Sequence, residues 1–563
     1  MAANEKTRDR AATNVTGQSE TYHAEGYWTD RLLTDYLERA VRRFPEKVAV
    51  VDERFGGLTY GQLASRMLRL AAALQARGVG RGDKFVIALP NWHHVSVFVL
   101  ALASLGAVSV HMPVTGREHE FGGVLKVTDA KGIVAPAEFR RNDFVSMIGG
   151  IAAKFGALET LVAVGGDPKD PGWVTYERLL SGAPDDRPRP DRRAAASEVT
   201  AFLFTSGASG DPKGVMHSSN TIGAMNTTVA QAYGLGPDDV MFMGAPLGYS
   251  AGLVHGVRLA IYLGATLVLQ ESWNGDRALE IMAKERATYT LMTPTLLRDL
   301  LKSDAFAVYA DRLSLRILFC GGTYVPGDLL RLAHERMPRT LTSAFWGMTE
   351  GIGSACRPGT PEERVFSTDG QPLPGTELKI LMEDGGEARA GEEGELVMRG
   401  PQLFLGYFNR PEMNEEAFLP GGWFRTGDVG AIDLEGYLKI TGRRKELIIR
   451  GGVNISPGEI EAKLLGDPRI RQLAVVDMPD ARLGERVCAC VVSGAGGEDL
   501  TLEDLIEIAR RQGLAKHKWP ERLEIMDALP ASPAGKLQRP ALREYVRRRI
   551  EAEGAGGAAD ADA

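Results

Sequence analysis

Apolar residues recur at helical spacing after Thr29, at Leu32, Leu33, Tyr36, Leu37, Ala40, Val41 and Phe44, and Pro45 stops the run. The next segment, Val48 to Glu53, reads as a strand. Thr59 then caps a second helix with Leu63, Met67, Leu70, Ala71 and Leu74 on one face, ending near Gly78 and Gly80. Phe85 to Pro90 is a further strand. The apolar stretch Val95 to Val110 is too short for a membrane span and contains Ser96, Ser104 and Gly106, so it predicts a buried helix followed by a strand. Strand and helix keep alternating through GIVAP, TLVAVG, YTLMTP and LRILFC, the pattern of helix-flanked sheets in an α/β fold.

The texture changes twice. After Gly370 the segments ELKILMEDGG, GELVMRGP and DVGAIDLEGYLKITG alternate and carry Gly turns, which predicts a β-rich subdomain. A smaller α+β unit begins near Arg443. In it Ser456 caps a helix with Pro457 at its first position and Glu459 closing a capping box, LAVVDM and RVCACVVS are strands, and Thr501 caps another helix. The expected organisation is a loose arm over 1–24, a large domain over 25–444, a small domain over 445–550 and a loose tail over 551–563. Asp185 to Glu198, rich in Pro and charge, reads as an exposed connector.

A chain of 563 residues exceeds what one core supports, in agreement with that division. Its net charge of −7 argues against a general nucleic-acid binder. Cys320, Cys356, Cys488 and Cys490 lack zinc-type spacing and read as buried reduced thiols. The polar N-terminus shows no secretory signal, and a cytoplasmic location is expected.

Candidate chemistry concentrates in LFTSGASGDPKGVMH, Leu203 to His217. Thr205, Ser206 and Ser209 bring hydroxyls, Gly207, Gly210 and Gly214 bring tight backbone, and Lys213 brings charge, as a phosphate-holding loop needs. A surface turn has similar composition. It is not a Walker loop, because Gly214 follows Lys213 where Ser or Thr is required. In SAFWGMTEG, Trp346 offers a ring for stacking on a purine, Gly347 and Met348 lead into a Thr349 hydroxyl, and Glu350 is a hard oxygen ligand suited to Mg²⁺. A core aromatic before a helix start would read the same way. LFCGGTYVP ends a strand at Gly321 and Gly322, followed by Thr323, where exposed backbone can line a flat base. Asp428 suits ribose hydroxyls and Arg443 suits ribose or phosphate oxygens, although either fits an ordinary surface. Lys536 lies on a Gly-containing loop before a basic stretch.

TSGASGDPKG resembles the TSGTTGxPKG loop of the adenylate-forming superfamily of acyl-CoA ligases, adenylation domains and luciferases, and the other motifs follow in that family's order over nearly the whole chain. The resemblance implies ATP, Mg²⁺ and coenzyme A as cofactors, with Glu350 on the metal. Thr205, Ser206, Gly207, Ser209, Gly210 and Lys213 would hold phosphates, and Gly321, Gly322, Thr323, Trp346, Gly347, Met348 and Thr349 would surround the nucleotide. Thr323 stands where relatives usually have Ala. By the same likeness Asp428 contacts ribose, Arg443 contacts the nucleotide, Lys445 is the hinge of a mobile small domain, and Gly451 and Gly452 line the pantetheine tunnel. Lys536 resembles the mobile lysine that touches the substrate carboxylate and the α-phosphate. Ala531 and Ser532 replace a common Arg-Thr there.

The implied activity is ATP-dependent ligation of a carboxylic acid to CoA through an acyl-adenylate, with Lys536, Thr205 and Glu350 as catalytic residues. Tyr249 stands where relatives often carry His, and Tyr249, Ser250, Gly322 and Gly347 are the candidate acid-pocket residues. The wording is most like bacterial short- and medium-chain acyl-CoA ligases of the cyclohexanecarboxylate type, implying a small to medium aliphatic, alicyclic, branched or hydroxylated acid. A free-standing enzyme that loads an aryl acid onto a carrier-protein pantetheine shares every ATP motif. The expected partners are a small carboxylic acid and CoA, with a homodimer as the candidate assembly and neither nucleic acid nor membrane span.

Overall fold

The computed structural model describes residues 18–156, 158–183, 194–206, 212–444, 446–451, 453–480, 482–494, 496–497, 499–531 and 537–559. Two compact units emerge, one formed by the chain up to Leu378 with Met398–Phe424, the other by Lys379–Val397 with the chain from Arg425 onward. Residues 379–397 and 425–444, expected in the large domain, thus belong to the second unit. Local bonds account for this placement. Glu395 pairs with Arg425 and, at 3.1 Å, with Arg444, and the Thr426 hydroxyl donates to the Leu396 carbonyl at 2.7 Å.

In the first unit the described residues form two large sheets. One runs in the order Gln371–Pro372, Gly351–Ala355, Leu341–Met348, Ile317–Gly321, Tyr289–Met292, Val240–Met243, Thr266–Leu269, Val48–Asp52, Gly56–Thr59. Its strands from Leu341–Met348 to Val48–Asp52 are parallel, and both edges are antiparallel. The second sheet runs Pro212–Ser218, Val199–Ser206, Val108–His111, Lys84–Ile87, Gly132–Pro136, Thr160–Val164, Trp173–Thr175, parallel except for its first pair. Parallel strands need both faces covered, which is why they read as continuous apolar runs and not as alternation.

The helices follow their sequence signals. Thr59 accepts from the Gln62 amide and starts Tyr60–Ala76, whose Leu63, Met67, Leu70, Ala71 and Leu74 are all buried. The Val95 region is the helix His94–Ser104, buried over residues 94–103, followed by the strand Val108–His111. Among the described residues no helix is long and apolar enough to cross a membrane. Residues 19–24, expected as loose, form the helix Ser19–Ala24 because Tyr22 buries its ring edge-on to Trp28 at 5.3 Å.

In the second unit, a sheet orders Val453–Ile455, Ile448–Arg450, Gly484–Ser493 and Ile470–Asp480, with Arg522–Ile525 paired to Gly484–Ser493. Period-two alternation sorts its faces. Val475, Val487, Ala489 and Val491 pack with Ile460 and Leu464 of Pro457–Leu464 and with Leu505 and Ile508 of Leu502–Arg511. Ala474, Val476, Met478, Cys488 and Cys490 pack with Leu542 and Val546 of the last helix, Arg539–Ala559. That helix continues past residue 551, where a loose tail was expected. All four cysteines are buried and unbridged. One cap differs from its signal: Ser456 accepts from the Glu459 amide at 3.4 Å, but the Glu459 carboxylate pairs with Lys518 Nζ at 2.7 Å and does not close the capping box.

Candidate active site

The described candidate residues of the first unit lie at or just beyond the carboxyl ends of parallel strands, where open α/β sheets bind ligands. Thr205 and Ser206 end the strand Val199–Ser206, and antiparallel register sets Thr205 opposite Lys213 and Ser206 opposite Pro212. The sequence Gly207 to Asp211 therefore joins two strands of a hairpin, with no helix after the loop as in a Walker site. Gly207, Ser209 and Gly210 lie outside the described residues. Beyond the hairpin, Leu405 donates to the Met216 carbonyl at 2.8 Å, Met216 to Gly406 at 3.1 Å and Phe408 to Gly214 at 2.8 Å. Those bonds lock the segment 405–408 alongside the lysine-bearing strand.

This locking brings Tyr407 into the site. Its hydroxyl donates to Glu350 Oε1 at 2.7 Å, and its ring lies 5.6 Å beneath Lys213 Nζ. Glu350 and Tyr407 are 9% and 8% exposed, so the bond is shielded from solvent. Burial, and then the Glu350 charge, push the phenol far above its ordinary pKa and keep it a donor. Lys213 and Glu350, far apart in sequence, are thus joined through one aromatic ring. Sequence reasoning missed Tyr407, because an aromatic in FLGYF reads as core.

His217 supplies a second link. Its Nε2 lies 2.8 Å from the Thr349 carbonyl and its Nδ1 lies 3.1 Å from the Thr221 hydroxyl. A carbonyl only accepts, so Nε2 carries the proton, and burial lowers the ring's pKa to about 4, leaving it neutral. Thr349 Oγ1 reaches Ser250 Oγ at 3.4 Å, bringing the GMTE segment to the candidate acid pocket. Tyr249 is half-buried next to Ser250. Burial raises its phenol's pKa, with Thr115 opposing. Gly248 is required there, since a Cβ would meet the Pro113 nitrogen at 2.5 Å.

Gly321 ends the strand Ile317–Gly321 and Gly322 turns outward at φ +85, so Gly322, Thr323 and Tyr324 form an exposed ledge. A planar base fits against such backbone. Gly347 and Met348 close the strand Leu341–Met348 and are half-buried. Trp346 is buried, its ring packed on Gly353 so closely that a Cβ there would lie 1.9 Å from Cζ3. That contact covers part of the ring proposed for stacking. Among the described residues no cluster of three or more His, Cys, Asp or Glu exists to hold a metal. A magnesium held by Glu350 would complete its shell with phosphate oxygens and water, the usual habit of that ion.

The second unit holds the other predicted residues. Asp428 and Arg443 face each other across the strands Trp423–Ile432 and Leu438–Arg443, with Arg443 Nε 2.9 Å from Asp428 Oδ1. Asp428 is buried and Arg443 exposed. Gly451 turns at φ +58 between Ile448–Arg450 and Val453–Ile455, donating to the Leu483 carbonyl at 2.7 Å. Lys445, Gly452 and Lys536 lie outside the described residues. The flanks of Lys536 are tied together by a bridge between Ala531 and Leu537 and by a 2.8 Å bond from Gln538 to the Pro530 carbonyl. Arg539 anchors the same base, 3.0 Å from Glu446 and 2.7 Å from Glu461.

The first unit thus sets Thr205 opposite Lys213 and ties a buried Glu350 to Tyr407, and the second unit carries an Asp428–Arg443 pair. The chain belongs to the AMP-binding enzyme family, whose main domain matches residues 37–408 and whose C-terminal domain matches residues 459–536. It is accordingly an AMP-forming acid–thiol ligase. The chain is 36% identical to the medium-chain fatty-acid–CoA ligase of Escherichia coli over 530 residues, covering 94% of this chain and 93% of the relative. A salicyl-AMP ligase / salicyl-S-ArCP synthetase of Mycobacterium tuberculosis is 33% identical, covering 93% of this chain and 92% of the relative. Among solved structures, ATP-bound MatB from Rhodopseudomonas palustris superposes with a TM-score of 0.81 at 27% identity, covering 92% of this chain and 99% of that one.

Proposed function

We propose that the chain activates a small to medium aliphatic, alicyclic, branched or hydroxylated carboxylic acid with ATP and passes the acyl group to the thiol of free CoA. The observation that carries the reading is the Lys213–Tyr407–Glu350 cluster, a cation and a buried carboxylate tied together at the strand ends. A carboxylate oxygen attacks the α-phosphorus of ATP, the bond to the β-phosphate breaks, and pyrophosphate leaves with the electron pair. The thiol sulfur then attacks the acyl carbon, loses its proton, and AMP departs. Two anions must meet in the first step, so cationic neutralisation and fixed geometry supply most of the catalysis. Lys213 is assigned to the phosphates together with the hydroxyls of Thr205, Ser206 and Ser209. Lys536 is assigned to the acid carboxylate and the α-phosphate. Magnesium held by Glu350 would offset phosphate charge.

Asp428 is assigned to ribose and Arg443 to the nucleotide, Lys445 to the hinge, and Gly451 and Gly452 to pantetheine. Tyr249 and Ser250, with Gly322 and Gly347, line the acid pocket in this reading. A cytoplasmic location and a homodimer complete the proposal. The identity to an enzyme named for salicyl transfer to a carrier protein keeps one rival in view, loading of an aryl acid onto protein-bound pantetheine. AMP formation over a panel of aliphatic and aryl acids, with free CoA or with carrier protein, decides between them. CoA-dependent turnover of aliphatic acids is expected. Turnover confined to aryl acids and carrier protein refutes the proposal.

A further inference from the structure

The arm ahead of the first long helix reaches the two segments that hold Glu350. Trp28 is 5% exposed, its ring edge-on to Tyr22 at 5.3 Å, and its indole Nε1 donates to the Pro401 carbonyl at 2.9 Å. Two residues on, Asp30 and Asn220 exchange bonds. The Asn220 Nδ2 donates to Asp30 Oδ1 at 2.7 Å, and the Asp30 backbone N–H donates to Asn220 Oδ1 at 3.1 Å. Just before them Tyr27 lies against Gly375, where a Cβ would come 2.7 Å from the Tyr27 Cζ.

Each of these contacts stands a short step behind Glu350. Pro401 leads to Phe404, whose N–H donates to the Glu350 carbonyl at 2.9 Å, and on to Tyr407, whose hydroxyl donates to the Glu350 carboxylate at 2.7 Å. Gln402 between them is buried and donates to the Ile352 carbonyl at 3.1 Å and to the Thr376 hydroxyl at 2.8 Å, which stiffens the segment. On the other side, Asn220 lies in the first turn of Ser219–Tyr233, next to Thr221, whose hydroxyl lies 3.1 Å from His217 Nδ1. His217 Nε2 holds the Thr349 carbonyl at 2.8 Å. The successive carbonyls of Thr349 and Glu350 are thus held by two segments, and the arm holds both. Termini are commonly tied down for stability alone. Asp30 argues for more, because its φ of +54 lies in the left-handed region, a conformation that costs a non-glycine residue stability and persists where the surroundings impose it, often beside functional groups.

We propose that Trp28 and Asp30 are positioning residues, fixing the Thr349–Glu350 backbone so that the Glu350 carboxylate meets the magnesium on ATP. This rests on the ligase reading and on its assignment of Glu350 to the metal. The test uses the full chain carrying Trp28→Phe, which keeps a ring but loses the N–H, Asp30→Ala, or Asp30→Asn, which keeps the acceptor oxygen. ATP binding is titrated by calorimetry with and without Mg²⁺, and amide hydrogen exchange over 401–408 is followed with neither present. Trp28→Phe and Asp30→Ala should each cut the affinity that Mg²⁺ adds by on the order of 10-fold, the lower end for a group that orients a metal-binding carboxylate, with little change in metal-free ATP binding and with faster exchange. Asp30→Asn should behave as wild type, and Trp28→Phe should add no further loss to Tyr407→Phe.

Equal loss with and without Mg²⁺, an unchanged Mg²⁺ effect in the folded variants, or losses that add to that of Tyr407→Phe would each overturn the proposal. If Trp28→Phe does not fold, Asp30→Ala decides, since that side chain is 64% exposed. A wild type whose ATP affinity does not respond to Mg²⁺ overturns it as well. The ligase reading survives all of these results while acids still drive pyrophosphate release; no such release with any aliphatic or aryl acid overturns both.

Discussion

Tyr407→Phe removes a single hydroxyl from the centre of the site. The ring stays, still 4.8 Å from Phe404 and beneath Lys213, so packing and the cation–ring contact survive. What is lost is a 2.7 Å bond from a buried phenol to a buried carboxylate. A hydrogen bond to a charged group contributes about 1.5–3 kcal/mol, so unfolding by urea should show a loss of that order. The more informative consequence concerns magnesium. A donor that orients a metal-binding carboxylate typically controls affinity by about 10–100-fold. Pyrophosphate release titrated against free Mg²⁺ at saturating ATP and acid should therefore shift its midpoint upward by about that factor. A variant that loses stability yet keeps the wild-type Mg²⁺ midpoint would show the phenol–carboxylate bond to be architectural, and would remove Glu350 from the metal.

Two further outcomes follow from other residues. Lys536→Ala should lower acid adenylation by about 2.7–4 kcal/mol of barrier, the cost of one well-aimed donor, while thioester formation from supplied acyl-AMP stays largely intact; equal loss of both half-reactions removes the assigned role. The second concerns pH. Burial holds His217 and His255 at about 4 and His94 and His111 at about 3, all below the ordinary 6.5. Between those values the unfolded chain binds protons that the folded chain refuses, so stability falls as pH drops from above 6.5 toward the folded values. At pH 5.5 each ring contributes about 1.4 kcal/mol of loss, before carboxylates begin to titrate. A urea midpoint unchanged between pH 7.5 and 5.5 would contradict the burial of these rings as neutral bases.

Local sequence signals carried much of the fold. Thr59 and Thr501 cap their helices because a cap depends on neighbours in sequence, and the apolar runs GIVAP and TLVAVG read as strands because parallel strands are buried on both faces. Unusual residue chemistry singled out Lys213, Thr349 and Glu350 as candidates in the sequence. Tyr407 was not legible, because its bond to Glu350 joins positions 57 residues apart in sequence. Glu459 shows the converse failure: Lys518, 59 residues away, outcompetes the local cap. Domain limits suffered from the same cause. The segment Lys379–Val397 is drawn into the second unit by Glu395, whose partners Arg425 and Arg444 lie well beyond it in the chain.

The central claim is that the acid becomes joined to AMP before any thiol takes it, and oxygen labelling tests it directly. With acid labelled in both carboxylate oxygens by ¹⁸O, attack on the α-phosphorus carries one labelled oxygen into the phosphate, and it should remain in the AMP released after CoA is added. Unlabelled AMP from an enzyme that turns over the acid, or label found in pyrophosphate, would contradict the account.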